Sequence, residues 1–270
     1  MNIGLSYERM ASDLSAARID GLLRGHWGRP LRLFDEIGST NSEALEWAEE
    51  GAVEGAVVVA GHQSAGRGRR GRTWLSEPGA ILPFSVVLRP RLPGARLGLL
   101  SAAAGVATAS AIEEVSGLGC RLKWPNDVTI SGLKVAGILL ESRVGAPGAA
   151  VVCGIGINVG WTELPAELAG RATSLALQGR SVDRSLLLAS VLLALEENCE
   201  RVEDAEGAAG VVGAAGALSE VLGHSVEVKL GADVVTGVAT SLTPTGALVL
   251  DTSEGTRILD TGVIERLRAV

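Results

Sequence analysis

The sequence predicts an α+β fold in which a large domain of helices and strands precedes a small all-β domain. As far as about residue 222, apolar runs typical of buried strands alternate with helical patterns. From about Gly223 the pattern changes to short strands separated by glycine turns, which is typical of a small β-barrel. The 270 residues, 47% of them hydrophobic, are enough to bury one large core and one small one. We therefore predict domains at 1–220 and 221–270.

Periodicity and turn signals place the elements of the large domain. Helices are predicted at 11–24, 40–51, 97–115, 181–202 and 207–222, and strands at 31–37, 56–60, 81–88, 119–123, 134–141 and 151–159. Thr40 and Glu43 have the spacing of a capping box at the start of the second helix. Pro83 predicts an edge strand or a bulge at 81–88, because proline cannot donate a hydrogen bond to a neighbouring strand. Ser131-Gly132 is a hairpin signal that precedes the strand at 134–141.

In the small domain, glycine turns separate strands that are predicted at 224–230, 234–242, 247–251 and 256–260. These strands complete the predicted α+β fold.

Composition restricts the class of protein. A formal net charge of −7 argues against non-specific binding to nucleic acid, which favours a basic surface. Cys120, Cys153 and Cys199 lie far apart in apolar surroundings, as core residues do in a reducing compartment. Neither a secretory leader at the N-terminus nor an apolar run of about 18 residues is present. We expect a cytoplasmic protein, monomer or homodimer, that does not insert into a membrane or bind DNA.

The stretch 66–74, GRGRRGRTW, carries four arginines on a glycine-rich backbone in an otherwise acidic chain. Its glycines let the backbone approach a ligand closely, and guanidinium groups suit carboxylate or phosphate. We predict an oxyanion-binding loop, with a solvated surface loop as the alternative. The same letters match the dinucleotide fingerprint G-x-G-x-x-G, but that site needs a helix after the last glycine and an acidic residue about 20 positions later. Here Glu77-Pro78-Gly79 signals a turn instead.

Polar clusters follow several predicted strands and are expected to meet in one pocket. They are Ser39-Thr40-Asn41, Gln63 with Arg67 and Arg69, Lys123 to Asp127 with Lys134, and Asn158. The alternative for the first cluster is helix capping alone. For Lys123 the alternative is an ion pair with a surface acid. Gly154 and Gly156 interrupt the strand at 151–159, where a ligand or another backbone can approach closely.

Four motifs together resemble those of biotin-protein ligases: GSTN at 38–41, GHQSAGRGRRGRTW at 61–74, KWPNDVTISGLKVAGILLE at 123–141 and GIGINV at 154–159. The resemblance covers roughly residues 33 to 268 and includes ATSL at 172–175. It implies a mixed-sheet catalytic domain of the biotin/lipoate ligase type, followed by an SH3-like β-barrel. It also implies a two-step reaction. Biotin and ATP, with Mg²⁺ as the metal, give biotinyl-5′-AMP and pyrophosphate, and the acyl group then passes to one lysine of a biotin carrier domain of a carboxylase.

The same resemblance assigns roles to residues. Biotin-binding positions are Ser39, Thr40, Asn41, Gln63, Gly66, Arg67, Gly68, Arg69 and Lys134, with Ser39, Thr40 and Gln63 at the ureido ring. Nucleotide-binding positions are Trp74, Asn126, Asn158 and Arg72. Catalytic positions are Lys134, Asp127, Arg69 and Lys123, while the metal ligands stay open.

These residue types suit the implied chemistry. Fixed cations bring the carboxylate and the triphosphate together against their repulsion. Serine, threonine and glutamine donate and accept hydrogen bonds at once, as a ureido ring requires. The carrier lysine must lose a proton during transfer, and Asp127 is placed to orient or accept it.

Two other functions compete with this interpretation. A lipoate ligase or lipoyl transferase resembles the same catalytic domain, and the arginine loop argues against it. A nucleic-acid-binding module built on the arginines and the small barrel is disfavoured by the acidic charge. Since the short segment before the first strand has no room for a DNA-binding domain, repression of biotin genes is not expected.

Overall fold

The computed structural model describes residues 13–142 and 150–269. Five helices in these ranges are α1 (Ala16–Leu22), α2 (Thr40–Glu49), α3 (Gly98–Ser116), α4 (Arg184–Arg201) and α5 (Ala205–Leu218). The strands are β1 (Leu31–Ile37), β2 (Val57–Gln63), β3 (Ile81–Leu88), β4 (Arg121–Lys123), β5 (Asp127–Ile130), β6 (Leu133–Ser142), β7 (Val151–Asn158), β8 (His224–Leu230), β9 (Asp233–Leu242), β10 (Leu248–Thr252), β11 (Gly255–Leu259) and β12 (Val263–Ala269). Residues 11 and 12 of the first predicted helix lie outside the described residues.

The first seven strands form one mixed sheet in the order β1-β2-β3-β7-β6-β5-β4. Only β1 and β2 run parallel, and every other neighbouring pair is antiparallel. Alternate side chains of β2 enter different cores: Val57 and Val59 pack with α3 and α4, whereas Val58 packs with α2. The sheet therefore lies between helices on both faces, and the predicted α+β class and mixed sheet are confirmed.

The prediction of an edge strand or bulge at Pro83 is wrong. β3 lies between β2 and β7, all of its residues are buried, and its register with β7 has no irregularity. The ladder between β2 and β3 ends at the pair Val59 and Phe84, so Pro83 lies just beyond it. A central strand can accept the proline because no amide is required there on the β2 side.

The predicted capping box is also wrong. Ser39, not Thr40, is the N-cap of α2, and it makes no side-chain cap hydrogen bond. The Thr40 hydroxyl donates to Gln63, and Glu43 forms an ion pair with Arg32 at 2.8 Å. Both side chains are thus used in tertiary contacts, which leaves the first turn of α2 open toward the end of β2.

The C-terminal strands form a separate five-stranded antiparallel sheet in the order β11-β10-β9-β8-β12. Its core contains Val226, Val228, Leu248 and Leu250. The last strand, β12, was not predicted from the sequence. Among the described helices, none combines the length and the apolar character needed to cross a membrane.

Candidate active site

The parallel pair β1 and β2 brings the first polar cluster to Gln63. Ile37 and Gln63 are register partners at the ends of these strands, so the turn after β1 lies beside the end of β2. The backbone amide and hydroxyl of Thr40 both donate to Gln63 Oε1, at 2.8 and 3.1 Å. Ser39, Thr40 and Gln63 are all buried. They form a polar bed at the N-terminal end of α2.

Asn41 lies against the sheet because β7 has a glycine beneath it. A Cβ atom on Gly154 would lie only 2.0 Å from Asn41 Oδ1. The amide of Asn41 is engaged at both ends, since Oδ1 accepts from Ser85 Oγ at 2.6 Å and Nδ2 donates to Glu141 Oε2 at 2.7 Å. Ser85 Oγ also lies 2.8 Å from Thr40 Oγ1, which joins this group to the polar bed.

The arginine loop at 66–74 is a small hairpin. Gly68 N donates to Arg72 O at 2.7 Å, and Trp74 N donates to Gly66 O at 2.9 Å. Gly66 cannot carry a side chain, because its Cβ would lie 2.5 Å from Trp74 O. The loop leads into an extended segment and no helix follows its last glycine, so the dinucleotide-binding alternative is wrong.

The loop arginines contact three other parts of the protein. Arg67 NH2 pairs with Glu141 Oε2 of β6 at 2.8 Å. Arg69 donates to Asn126 Oδ1 at 3.1 Å and to Thr261 Oγ1, in the turn between β11 and β12, at 2.8 Å. Burial lowers the pKa of the Arg69 guanidinium and the nearby Arg70 lowers it further, while Asp127 acts in the opposite direction. The loop is therefore attached to both sheets, which a solvated surface loop would not be.

Trp74 lies over two glycines of neighbouring strands. Added Cβ atoms would come within 2.9 Å of its indole at Gly137 on β6 and within 2.6 Å at Gly156 on β7. Lys134 Nζ lies 5.1 Å from the ring centroid, within the range of a cation–π contact. The indole Nε1 is buried and has no hydrogen-bond partner among the residues that the structure describes. Such a donor is costly to leave unpaired, so a position of Trp74 that pairs Nε1 would recover this cost.

Lys134 and Asp127 form a half-buried ion pair, with 2.6 Å between Nζ and Oδ1. The backbone of Lys134 is held by the ATSL segment, because its N donates to Arg171 O and its O accepts from Thr173 N. Asn158 Nδ2 donates to Thr173 O at 3.0 Å. The segment thus fixes the start of β6, from which Lys134 projects.

Two adjoining cavities gather most of the predicted site residues. The first cavity is lined by ten of them, among other residues: Ser39, Thr40, Asn41, Gln63, Arg67, Gly68, Arg69, Trp74, Asn126 and Lys134. The second cavity, of about 550 Å³, lies between α3, the β4–β6 strands and the C-terminal sheet, and is lined by Lys123, Asn126, Asp127 and Arg69 among others. Gly66, Arg72 and Asn158 line neither of these two cavities.

Three contacting residues were not predicted from the sequence. Ser85 and Glu141 complete the polar network around Asn41, and Thr261 accepts from Arg69. The sequence gives only weak indications of the first two residues. Ser85 is a polar residue inside the apolar run of β3, and Glu141 is an acid near the end of β6. Thr261 carries no such indication, because its role depends on the packing of the C-terminal sheet against the loop.

The cysteines and the possible metal ligands lie as follows in the described residues. Cys120, Cys153 and Cys199 are free and buried, and burial raises the pKa of each thiol, to about 12 for Cys120 and Cys153. Within residues 13–142 and 150–269, no group of three or more His, Cys, Asp or Glu side chains could hold a metal ion by itself.

Comparisons with known proteins agree with this geometry. The sequence model of the biotin/lipoate A/B protein ligase family matches residues 33–158, and that of the biotin protein ligase C-terminal domain matches 221–267. The biotin--[acetyl-CoA-carboxylase] ligase of Mycobacterium tuberculosis is 36% identical over 252 residues, which are 90% of this chain and 91% of that protein. The bifunctional ligase/repressor BirA of Bacillus subtilis is 34% identical over 251 residues, which are 91% of this chain and 76% of that protein.

A solved structure has the same overall fold. The biotin protein ligase from Aquifex aeolicus in complex with biotin and ATP superposes with a TM-score of 0.77 at 33% identity. The match covers 89% of this chain and 99% of that one.

Proposed function

Because the chain belongs to the biotin protein ligase family, we propose that its first cavity binds biotin and joins it to AMP. The protein is an ATP-dependent ligase. It activates biotin to biotinyl-5′-AMP with release of pyrophosphate and transfers biotin to a lysine of a biotin carrier domain of a carboxylase. The M. tuberculosis relative is a biotin--[acetyl-CoA-carboxylase] ligase, so an acetyl-CoA carboxylase carrier is the acceptor we propose.

One observation carries this proposal: a neutral polar bed and a set of cations line the same cavity. Thr40 and Gln63 supply groups that donate and accept, as a ureido ring requires. Arg67, Arg69 and Lys134 supply positive charge for a carboxylate and a phosphate. Gly154 and Gly156 lie two residues apart on β7, about 7 Å along the strand. Asn41 covers the first and Trp74 the second, and both side chains line the first cavity.

Lys134 acts in activation and Asp127 in transfer. The biotin carboxylate attacks the α-phosphate of ATP. The Lys134 ammonium neutralises this carboxylate during the attack, so that two anions can approach each other. When Lys134 turns toward that carboxylate, Asp127 loses its partner at 2.6 Å and becomes available to the carrier lysine. Asp127 then orients or accepts the proton that the amine must lose before it attacks the acyl group.

ATP is held beside biotin by Arg69, Asn126 and Trp74, with Arg72 and Asn158 as further nucleotide-binding residues.

Mg²⁺ generally keeps several waters and is bound by one or two carboxylates together with substrate phosphates, so the donors present fit an ion that arrives with ATP. Asp260 lines the second cavity and would supply a carboxylate to the ion, which leaves Asp127 for the transfer step. The ion would neutralise charge on the phosphates. Lys123 lines the same cavity and adds a further cation.

We also propose two domains, a cytoplasmic location and an oligomeric state for the protein. We place the boundary between catalytic and C-terminal domains at 220/221, between the end of α5 at Leu218 and the start of β8 at His224. The three buried free thiols suit a reducing compartment, which supports action in the cytoplasm. We propose a monomer or homodimer that does not bind DNA.

Labelled biotin, MgATP and an isolated biotin carrier domain test the function together. We expect one biotin to be added per carrier domain, at the single lysine, and no addition to a carrier whose lysine is replaced by arginine. Lipoate in place of biotin is the matched control. Lipoyl transfer at an equal rate, or no biotin transfer, would reject the proposal.

A further inference from the structure

Glu141 receives two donors on a single carboxylate oxygen. Asn41 Nδ2 lies 2.7 Å from Oε2, and Arg67 NH2 lies 2.8 Å from the same atom. The side chain of Glu141 is 30% exposed and that of Arg67 is 43% exposed, so the ion pair forms at the rim of the first cavity. Hydrogen bonds between ionised groups are stronger than neutral ones. Glu141 therefore links a loop arginine to the interior of the site.

The inner end of this link is rigid. Asn41 is 4% exposed, and its Nδ2 also lies 3.3 Å from the backbone oxygen of Leu139. Its Oδ1 accepts from the buried Ser85, and Gly154 leaves the space in which the amide fits. With both ends of the amide engaged, Asn41 has one orientation that satisfies its partners. It therefore fixes the carboxylate of Glu141 in place.

The outer end of the link belongs to the arginine loop. Arg67 belongs to the 66–74 hairpin, whose own hydrogen bonds join Gly68 to Arg72 and Gly66 to Trp74. These bonds hold the hairpin together, but they do not attach it to the sheet. The pair with Glu141 attaches it to β6, the strand that also carries Gly137 and Lys134.

We propose that Glu141 is a positioning residue that fastens Arg67, and with it the arginine loop, over bound biotin. Asn41 acts in the same chain of contacts by holding Glu141. The inference rests on the proposed function, because the ligand under the loop is biotin or biotinyl-AMP. Glu141 lines neither of the two cavities, so it controls how tightly the ligand is held and not the rate of the chemical step.

Glu141→Gln tests the proposal, since glutamine keeps the size and an acceptor oxygen but removes the charge. Biotin-dependent exchange of labelled pyrophosphate into ATP gives KM and kcat for activation. We expect KM for biotin to rise roughly three- to tenfold, and release of biotinyl-AMP to accelerate by the same factor, as for a partly exposed charged hydrogen bond. The kcat for activation should change less than about twofold, because the chemical step does not involve Glu141.

Glu43→Gln is the matched control. It removes the Arg32 to Glu43 pair, which has the same 2.8 Å separation and side chains that are 37% and 24% exposed, but which lies outside both cavities. We expect its KM for biotin to equal that of the unchanged protein. Equal increases in both variants would overturn the proposal, because the effect would then be a general loss of surface charge.

A double-mutant cycle with Arg67→Gln tests whether Glu141 acts through the arginine. Arg67→Gln alone should raise KM for biotin, and adding Glu141→Gln should change KM by less than about twofold. Independent, multiplicative effects would overturn the link. A KM for Glu141→Gln at or below the value of the unchanged protein would also overturn the link, since Glu141 would then compete with substrate for Arg67.

If the unchanged protein shows no biotin-dependent exchange, the proposed function fails. Normal exchange in Glu141→Gln rejects only this inference.

Discussion

Lys134 Nζ lies 2.6 Å from Asp127 Oδ1, across the boundary between the two cavities. Lys134 faces the cavity with the polar bed and Asp127 faces the larger one. The pair therefore joins the residue proposed for activation to the residue proposed for transfer. Each charge neutralises the other in this structure.

Lys134→Ala should damage activation more than transfer. Without the ammonium, the biotin carboxylate and the phosphate repel each other, and the rate of adenylate formation should fall about 100- to 1,000-fold, as for a lost oxyanion donor. Single-turnover transfer from preformed biotinyl-AMP to the carrier measures the second step alone. Transfer that is as slow as activation would contradict this division.

Asp127→Ala should have the opposite effect. The carrier amine would lose the group that orients it or accepts its proton, a contribution typically of about 100-fold or more. Pyrophosphate exchange measures activation in the same variant, which we expect to be retained to a much greater extent. Normal transfer from preformed biotinyl-AMP would show that Asp127 has another role.

Arg69→Ala should release biotinyl-AMP into solution. The guanidinium spans Asn126 Oδ1 and Thr261 Oγ1, so its removal breaks the contacts of the loop with the KWPND turn and with the turn that carries Thr261. Escaped adenylate acylates lysines of bystander proteins, which blotting for biotin detects. Thr261→Val removes only the second contact and should cause a smaller increase, while Thr261→Ser should cause none. Retention of the adenylate by Arg69→Ala at the parental level would contradict this role.

Much of the fold could be predicted because local patterns suffice for most elements. The bounds of β1 and β8 agree with prediction, since both are short runs that end at clear turn signals. β12 was missed because it pairs with β8 from far along the chain, and its own sequence carries little periodicity. The prediction at Pro83 failed for a related reason. The ladder of hydrogen bonds between β2 and β3 ends at Phe84, next to Pro83, and the sequence of β3 alone does not show where its pairing with β2 ends.

The sequence predicted most residues of the candidate site but missed some of their contacts. Ten predicted residues line the first cavity, since strand ends that carry polar motifs meet at one edge of the sheet. Ser85, Glu141 and Thr261 were missed because their contacts form only after packing. Asn158 stays a predicted nucleotide-binding residue, and its amide nitrogen also donates to Thr173 O in the segment that holds the backbone of Lys134.

Trp74 should move when biotin binds. Its indole lies against Gly137 and Gly156, where the first cavity leaves only about 50 Å³ free, which is room for a few waters and not for biotin. Displacement into water should shift tryptophan emission to longer wavelength. Trp74→Phe, with binding followed by equilibrium dialysis, should bind biotin without this shift. An unchanged shift in Trp74→Phe would assign it to another tryptophan.

The buried thiols should make stability fall at alkaline pH. The pKa of Cys153 is raised to about 12, whereas an unfolded thiol titrates near pH 8.5. Above pH 8.5 the unfolded state therefore binds fewer protons than the folded state, and the free energy of unfolding decreases until pH approaches 12.

Urea unfolding at pH 8 and pH 10 measures this decrease. The Cys153 thiol should account for about 2 kcal/mol of it. In Cys153→Ala the decrease between the two pH values should be smaller by that amount, whatever the stability of the variant at pH 8. The same decrease in both proteins would contradict a buried, protonated thiol.

The central claim is that this chain activates biotin by itself, with its own residues. Release of pyrophosphate from MgATP by the purified protein, without any carrier, measures that step directly. We expect release that requires biotin, stops after about one turnover as biotinyl-AMP stays bound, and does not occur with lipoate. Release that is independent of biotin, or equally fast with lipoate, would contradict the account.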